Sequence, residues 1–166
     1  MITLTAERLR EVLHYDPKTG DFHWLIDAST RVKTGDLAGR INSNGYRQIK
    51  FEGISYYAHR LAWLYVHGVF PENITDHRSL TRSDNRIENI RPCTYGENAE
   101  NRPRRTGAKY LRGAHRLRGR TKWVSYIGTQ GGGGCDYLGT FGTEIEAHEA
   151  YMREATKRYG EFARAA

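Results

Sequence analysis

Cysteine is scarce in this chain of 166 residues, since Cys93 and Cys135 are its only two and neither belongs to a C-x-x-C pair. The chain therefore lacks a four-cysteine zinc site and offers little basis for a disulfide framework, so we expect no zinc and two reduced thiols. Long apolar runs are also missing, because no run approaches the roughly 20 residues of a membrane span. The first ten residues do not have the pattern of a secretion signal. These absences predict a cytoplasmic protein without membrane contact.

Acidic residues are too few to balance the basic ones, 19 against 26, which gives a formal net charge of +7. The excess is local, because nine lysines and arginines between Ala99 and Lys122 face a single acid, Glu100, for a net +8 in that window. Concentrated positive charge pairs with phosphates and releases counterions. The window indicates nucleic-acid binding, and the alternative interpretation is a solvated basic linker.

Apolar spacing and turn residues divide the chain into three regions of an α+β protein. The first is predicted to contain helices at about 5–14 and 58–67 and strands at 22–26, 46–51 and 54–57, with turns at 16–20, 42–45 and 52–53. The second is predicted to contain a strand ending near Asp76 and His77, an irregular loop, a short strand near Ile90 and a helix carrying Asn98. A capping box formed by Thr94 and Glu97 starts that helix.

The third region is predicted to form a three-stranded antiparallel sheet packed on one helix. The strands are expected at 111–115, 122–127 and 137–141, with a glycine-rich reversal at 131–134. A second capping box at 143–146 begins a helix that ends near 159, and its small face (Ala147, Ala150, Tyr151 and Ala155) lies against the sheet. The expected domains are 1–101 with the polar motif at 74–101, a basic linker at 102–110, and 111–166.

The polar motif contains the groups that metal-assisted phosphodiester cleavage uses. A histidine can take a proton from water, and nearby carboxylate and amide oxygens suit a hard divalent cation. Asp76 and His77 are adjacent, so on a regular strand their side chains point to opposite faces. They can share one site only where the strand ends or twists. The first-turn position of Asn98 makes it a reasonable second ligand, which spacing alone does not establish.

These residues resemble the phage and intron-encoded HNH homing endonucleases, which use a ββα-metal active site. The resemblance covers about residues 40–101 and rests on His59-Arg-Leu-Ala-Trp, Asp76-His77, Ser83-Asp-Asn-Arg-Ile-Glu-Asn-Ile-Arg91, Thr94 and Asn98. The spacing is specific, with 12 residues from His77 to Asn89 and 21 from His77 to Asn98. Residues 111–166 resemble the ethylene-response-factor-type DNA-binding domain, through Arg112-Gly113, Lys122-Trp123, Leu138-Gly-Thr-Phe141 and Gly160-Glu-Phe-Ala163.

The first resemblance implies a role for each motif residue. His77 would be the general base, and Asn89 would hold the loop and orient the histidine ring. Asp76 and Asn98 would bind one Mg²⁺ or Mn²⁺ per active site. The implied activity is nicking of double-stranded DNA by a monomer or weak dimer. The resemblance also implies a bacteriophage protein, which would act in the cytoplasm of the bacterial host.

The basic window and the second resemblance together imply the residues that bind DNA. They are Arg102, Arg104, Arg105, Lys109, Arg112, His115, Arg116, Arg118, Arg120, Lys122 and Trp123. Phosphate contact is the firmer expectation, because the sequence departs from the plant pattern after Trp123. Trp123 has the alternative interpretation of a core residue, and His59 and Trp63 are predicted to pack rather than react. Asn85 is predicted to be a turn residue.

One departure from the HNH pattern lies directly after the histidine. Family members carry a tight glycine turn there, and this chain has Arg78-Ser-Leu-Thr81. A second function therefore stays open, a non-catalytic, sequence-preferring DNA-binding or regulatory protein with a degenerate HNH site. A third is RNA or structured nucleic acid as the target, since a basic patch does not distinguish between them.

Overall fold

The computed structural model describes residues 4–119, 121–129 and 133–165. The chain forms two compact units, Met1–Cys93 and Thr94–Ala166. Both units contain helices and strands, which confirms the predicted α+β class. None of the helices within the described residues has the length and apolar character that crossing a bilayer requires.

The first unit begins with helix α1 (Ala6–Val12), whose N-cap is Thr5. Strand β1 (Leu13–Tyr15) follows directly and pairs antiparallel with β2 (Phe22–Trp24). The helix predicted over 5–14 is therefore shorter, because Leu13 and Tyr15 alternate into the core as strand residues. The predicted turn at 16–20 is confirmed by the hydrogen bond from the Gly20 N–H to the Asp16 carbonyl, 2.8 Å.

A second sheet of the first unit has the order β3 (Arg40–Ile41), β4 (Arg47–Phe51) and β5 (Ile54–Tyr57), all antiparallel. The predicted hairpin at 52–53 is confirmed, with Glu52 and Gly53 both at positive φ, 48° and 82°. Helix α2 (Ala58–His67) has the predicted bounds and ends at Gly68, whose φ of 80° closes the helix in the left-handed conformation. The core lies between these helices and sheets and includes Leu9, Phe22, Ile49, Leu61 and Leu64.

The last two strands of the first unit form a separate ribbon. Strands β6 (Ile74–His77) and β7 (Ile90–Cys93) pair antiparallel, in the register His77 opposite Ile90 and Asp76 opposite Arg91. The strands predicted near His77 and Ile90 are thereby confirmed. The loop between them contains one 3-10 turn, Ile87–Asn89. Asp76 and His77 thus lie at the end of a strand, where the chain leaves the ribbon.

The second unit begins with helix α3 (Tyr95–Glu100), which starts at the predicted capping box. Its sheet has the order β10 (Cys135–Phe141), β9 (Trp123–Gly128) and β8 (Ala114–Arg116), followed in the chain by helix α4 (Glu144–Tyr159) and a 3-10 turn, Gly160–Phe162. The side chains predicted to face the sheet from α4 are buried: Ala147, Ala150, Tyr151 and Ala155. The predicted reversal at 131–134 includes Gly131 and Gly132, which lie outside the described residues.

Strand β8 begins three residues later than the sequence predicted, because residues 111–114 form a turn closed by the Ala114 N–H on the Leu111 carbonyl, 3.1 Å. Gly113 takes a φ of +74°, and a Cβ there would meet the Tyr151 ring at 2.1 Å. The turn therefore lies against α4, and only glycine fits at this position.

Helix α3 is grouped with the second unit, although the sequence suggested a boundary after residue 101. The reason lies at its last residue, Glu100. The Tyr151 hydroxyl donates to the Glu100 carboxylate at 2.5 Å, and the Arg112 guanidinium donates to the Glu100 carbonyl at 2.6 Å. These bonds attach the end of α3 to the C-terminal sheet and helix.

Candidate active site

Asp76 lies in a buried ion pair with the arginine opposite it on the neighbouring strand. The Arg91 guanidinium donates from Nε and Nη2 to Asp76 Oδ2, at 3.2 Å and 3.1 Å. The side chains are only 5% and 7% exposed, for Arg91 and Asp76 respectively. The guanidinium charge offsets part of the cost of removing the carboxylate from water. The ribbon therefore presents a fixed anionic oxygen group beside His77.

His77 is a buried imidazole surrounded by aromatic rings. The His59 ring meets it edge to face with centroids 4.9 Å apart, and the Tyr46 ring lies at 5.9 Å. Burial lowers the pKa of His77, and the hydrogen bond with Asn85 partly opposes that effect. The imidazole is therefore neutral near pH 7, the state in which it can accept a proton.

The amide of Asn85 favours one of the two neutral tautomers of His77. Asn85 Nδ2 donates to the Ser83 carbonyl at 3.0 Å, which turns Oδ1 towards His77 Nε2 at 3.4 Å, a long hydrogen bond. An amide oxygen can only accept, so the Nε2 of a neutral His77 is the protonated nitrogen and Nδ1 has the lone pair. The contact with Asn85 therefore favours a neutral His77 protonated on Nε2.

The loop that contains Asn85 is held in place from the N-terminal hairpin. Asn85 is fully buried, and its carbonyl accepts from the Tyr15 hydroxyl at 2.8 Å. Gly20, at a φ of +78°, lies so close that a Cβ there would be 2.4 Å from the Arg86 nitrogen and 2.6 Å from the Asn85 carbonyl carbon. Residues some 65 positions earlier in the chain therefore support the residue that orients the histidine.

Asn89 bridges the two sides of the loop between the strands. Its Oδ1 accepts from the Ser79 N–H at 2.9 Å, and its Nδ2 donates to the Asp84 carbonyl at 2.8 Å. The sequence assigned Asn89 two tasks, to hold the loop and to orient the histidine ring. The bonds it makes are those of the first task, and the ring contact is made by Asn85.

The segment that replaces the glycine turn closes with a left-handed leucine. The Leu80 N–H donates to the His77 carbonyl at 3.0 Å, and the φ of Leu80 is +65°. L-residues with a side chain adopt this conformation at a cost, which is why glycine usually occupies it. The chain therefore keeps a closed turn after the histidine without the glycine.

The second predicted metal ligand, Asn98, lies half-buried in α3 of the second unit. Its N–H donates to the Thr94 carbonyl at 3.0 Å, as expected in the first turn of a capped helix. Among the described residues, no group of three or more histidine, cysteine or acidic side chains could hold a metal ion. A Mg²⁺ site of one carboxylate, amide oxygen, water and substrate phosphate does not require such a group. The oxygen donor of Asp76 suits it.

Most of the residues predicted to bind DNA are exposed in the second unit. Arg120 lies outside the described residues. The exposed ones are Arg102, Arg105, Lys109, His115, Arg116, Arg118 and Lys122.

The remaining three have structural contacts of their own. The Arg112 guanidinium donates to the Glu100 carbonyl and lies 3.7 Å from the Glu100 carboxylate. Arg104 donates to backbone carbonyls of the loop that follows it. Trp123 is half-buried and meets the Tyr110 ring edge to face at 4.9 Å. These contacts position the loop and sheet, so the exposed residues are the stronger candidates for phosphate contact.

Sequence reasoning missed three residues that the structure places at His77 or Asp76. Asn85 was interpreted as a turn residue, His59 as a packing residue, and Arg91 was given no role. The register of β6 and β7 identifies Arg91, because pairing of His77 with Ile90 places Asp76 opposite Arg91. For Asn85 the only signal was its place in the polar motif, and for His59 it was the resemblance carried by His59-Arg-Leu-Ala-Trp.

Comparison with known proteins identifies one segment of the chain. Residues 56–100 match the model of an HNH endonuclease family, about a quarter of the chain. The match includes β6, β7 and α3 with Asp76, His77, Asn89 and Asn98. No curated protein and no solved structure matches the chain.

Proposed function

We propose that this HNH endonuclease match marks a working, metal-dependent DNA nuclease of the homing type, which nicks double-stranded DNA as a monomer or weak dimer. The observation that carries the proposal is the state of His77. It is buried, has a lowered pKa and has Nε2 directed at the Asn85 amide oxygen. A neutral histidine of defined tautomer is the group that a hydrolytic nuclease needs at neutral pH.

In the proposed reaction, His77 Nδ1 accepts a proton from a water molecule as its oxygen attacks the scissile phosphorus. A phosphorus–oxygen bond forms to the water, the bond to the 3′ oxygen breaks, and the 3′ oxygen leaves with the electron pair. Asn85 keeps the Nε2 proton in place during this transfer. Asn89 holds the loop closed behind the histidine, through Ser79 and Asp84.

Asp76 would hold the divalent cation, Mg²⁺ or Mn²⁺, together with Asn98 as the resemblance implies. When bound, such a cation stabilises the negative charge that develops on the phosphate and the leaving oxygen. Arg91 fixes the direction of the Asp76 carboxylate, whose oxygens are donors of the kind that a hard cation prefers. Asn98 remains a prediction from the sequence.

The second unit would bind the DNA backbone through its exposed basic residues. The exposed Arg116 ends β8, the exposed Arg118 follows two residues later, and Lys122 immediately precedes β9. Charges in this position pair with phosphates without reading bases. The proposal therefore predicts tight, salt-sensitive binding with a modest sequence preference.

A nicking assay on supercoiled plasmid tests the proposal. The wild-type protein should convert supercoiled to open-circular DNA with Mg²⁺ or Mn²⁺ and should stop in EDTA. His77→Ala should lower the nicking rate by at least about 100-fold, since a positioned general base contributes 10²–10⁴-fold, and should leave DNA affinity within a few-fold. His14→Ala, at an exposed histidine of β1, is the matched control. Loss of DNA binding in His77→Ala alone would contradict the role of base.

The left-handed Leu80 favours the second candidate, a DNA-binding protein with a degenerate HNH site. If the wild-type protein binds DNA but does not nick it with Mg²⁺, Mn²⁺ or other divalent ions on several targets, this second function holds and the nuclease fails. Single-stranded and duplex RNA of the same sequence should be included as substrates. Preferential cleavage of RNA would replace DNA as the target class.

A further inference from the structure

His59 belongs to a cluster of four rings that includes the proposed base His77. It is the second residue of α2, and its ring stacks on Tyr57 with centroids 5.4 Å apart and an interplanar angle of 16°. Tyr46 contacts both histidines, at 5.5 Å from His59 and 5.9 Å from His77. Tyr46 immediately precedes β4, Tyr57 ends β5, and His59 lies in α2, so residues from three parts of the first unit join His77 of β6 in one cluster.

The contact between the two histidines has a defined geometry. Their ring planes lie at 80°, so one ring presents its edge to the face of the other at 4.9 Å. Edge-to-face pairs of this kind are favourable and directional. Rotation of the His77 ring about its side-chain bonds would break the contact. The ring of His59 therefore selects one orientation of His77, and the Asn85 amide selects its tautomer.

His59 has a feature that an ordinary packing residue lacks. It is 7% exposed, and its Nδ1 is buried without a hydrogen-bond partner among the described residues. Burial, then the nearby charges of His77 and Arg60, lower the pKa of His59 to about 3, so the ring is uncharged near neutrality. An apolar ring of the same shape would avoid the unpaired nitrogen. The interaction that His59 makes with His77 is therefore the contact between their rings.

We propose that His59 is a positioning residue that holds the ring of the general base His77 in its reactive orientation. This inference rests on the proposed nuclease function and adds to it a residue from α2, outside the polar motif. The required property is the flat ring of His59, and neither of its nitrogens takes part.

Two substitutions of similar volume separate the ring from its nitrogens. His59→Leu fills the site without a flat ring, and His59→Phe keeps the ring and removes both nitrogens. We expect His59→Leu to lower kcat for plasmid nicking by about 10- to 100-fold with KM unchanged, since small misplacements of a reacting group cost up to about 10²-fold. We expect His59→Phe to stay within a few-fold of wild type. Leu9→Ala, a fully buried change in α1, controls for loss of stability and should leave kcat unchanged below its melting temperature.

Three results would overturn the inference: a folded His59→Leu protein with wild-type kcat, an effect on KM instead of kcat, or an equal loss in His59→Phe. The last result would assign the effect to a nitrogen of His59. NMR relaxation of the His77 ring carbons gives a second measurement that needs no activity. The ring should be rigid in wild type and His59→Phe and mobile in His59→Leu. If the wild-type protein does not nick DNA, the nuclease proposal fails, and the relaxation data still decide whether His59 holds the His77 ring.

Discussion

Replacing Leu80 should reveal how much free energy the turn after His77 costs the fold. Leu80 is one of two non-glycine residues at positive φ within the described residues, at +65°. A side chain in the left-handed region costs about 1–2 kcal/mol. Glycine avoids that cost but has more freedom in the unfolded chain, which costs about 0.4–1 kcal/mol relative to alanine. Leu80→Gly should therefore be more stable than Leu80→Ala by about 1 kcal/mol.

Alanine is the right reference because Leu80 is half-buried, and both variants lose the same side-chain contacts. The measurement is urea unfolding followed by tryptophan fluorescence, in a Trp123→Phe background in which Trp24 and Trp63 report on the first unit. The difference should appear in the midpoint at constant slope. At an ordinary φ, alanine is the more stable of the two, so an alanine variant at least as stable as the glycine variant would refute the left-handed turn.

Leu80→Gly also bears on function, because the glycine turn is the feature by which this chain departs from the HNH pattern. The closed turn already present, with Leu80 bonded to the His77 carbonyl, predicts that nicking by Leu80→Gly stays within a few-fold of wild type. A large gain in nicking rate would show that the leucine turn impairs the site, as the second candidate function requires.

Three other predictions follow from contacts at the site and in the second unit. Arg91→Met should destabilise the first unit by about 3–5 kcal/mol in urea unfolding, because it removes the guanidinium that donates to the buried Asp76 carboxylate. Asp76→Leu combined with Arg91→Met should recover most of that loss, and single changes whose effects simply add would contradict the coupling. Gly20→Ala should lower both stability and nicking rate, because its Cβ would overlap the backbone at Asn85. The control is Gly35→Ala, at a similar φ, where a Cβ meets nothing within 4 Å. Equal effects of the two changes would rule out the overlap as the cause. Arg116→Ala with Arg118→Ala should reduce the slope of log affinity against log salt by about 1.8, from roughly 0.9 per phosphate contact, and an unchanged slope would exclude both contacts.

Apolar spacing and turn residues predicted the helices and strands that depend on residues close in sequence. Helix α2 could be placed because its apolar spacing ends at Gly68, and the β4–β5 hairpin because Glu52 and Gly53 form its turn. Strand β1 could not, because three residues directly after a helix have no local strand signal. Its conformation comes from pairing with β2 and from burial of Leu13 and Tyr15.

The sequence predicted candidate reacting groups for the site and much less about the residues that contact them. Asp76 and His77 were found because metal-assisted hydrolysis needs those residue types. Asn85 and His59 contact His77 from the loop after β6 and from α2, and residue types and spacing do not specify such contacts. The spacing of 12 residues from His77 to Asn89 gives the length of the loop. It does not specify the hydrogen bonds inside the loop or the turn at Leu80.

The attachment of Glu100 has a practical consequence for dividing the chain. A fragment that begins at residue 102 would lack the carboxylate and carbonyl that accept from Tyr151 and Arg112, and both donors would lose those partners. A fragment that begins at Thr94 keeps them, together with the capping box of α3. Transfer of the second unit to another protein, by design or by recombination, should therefore succeed only when residues 94–101 move with it.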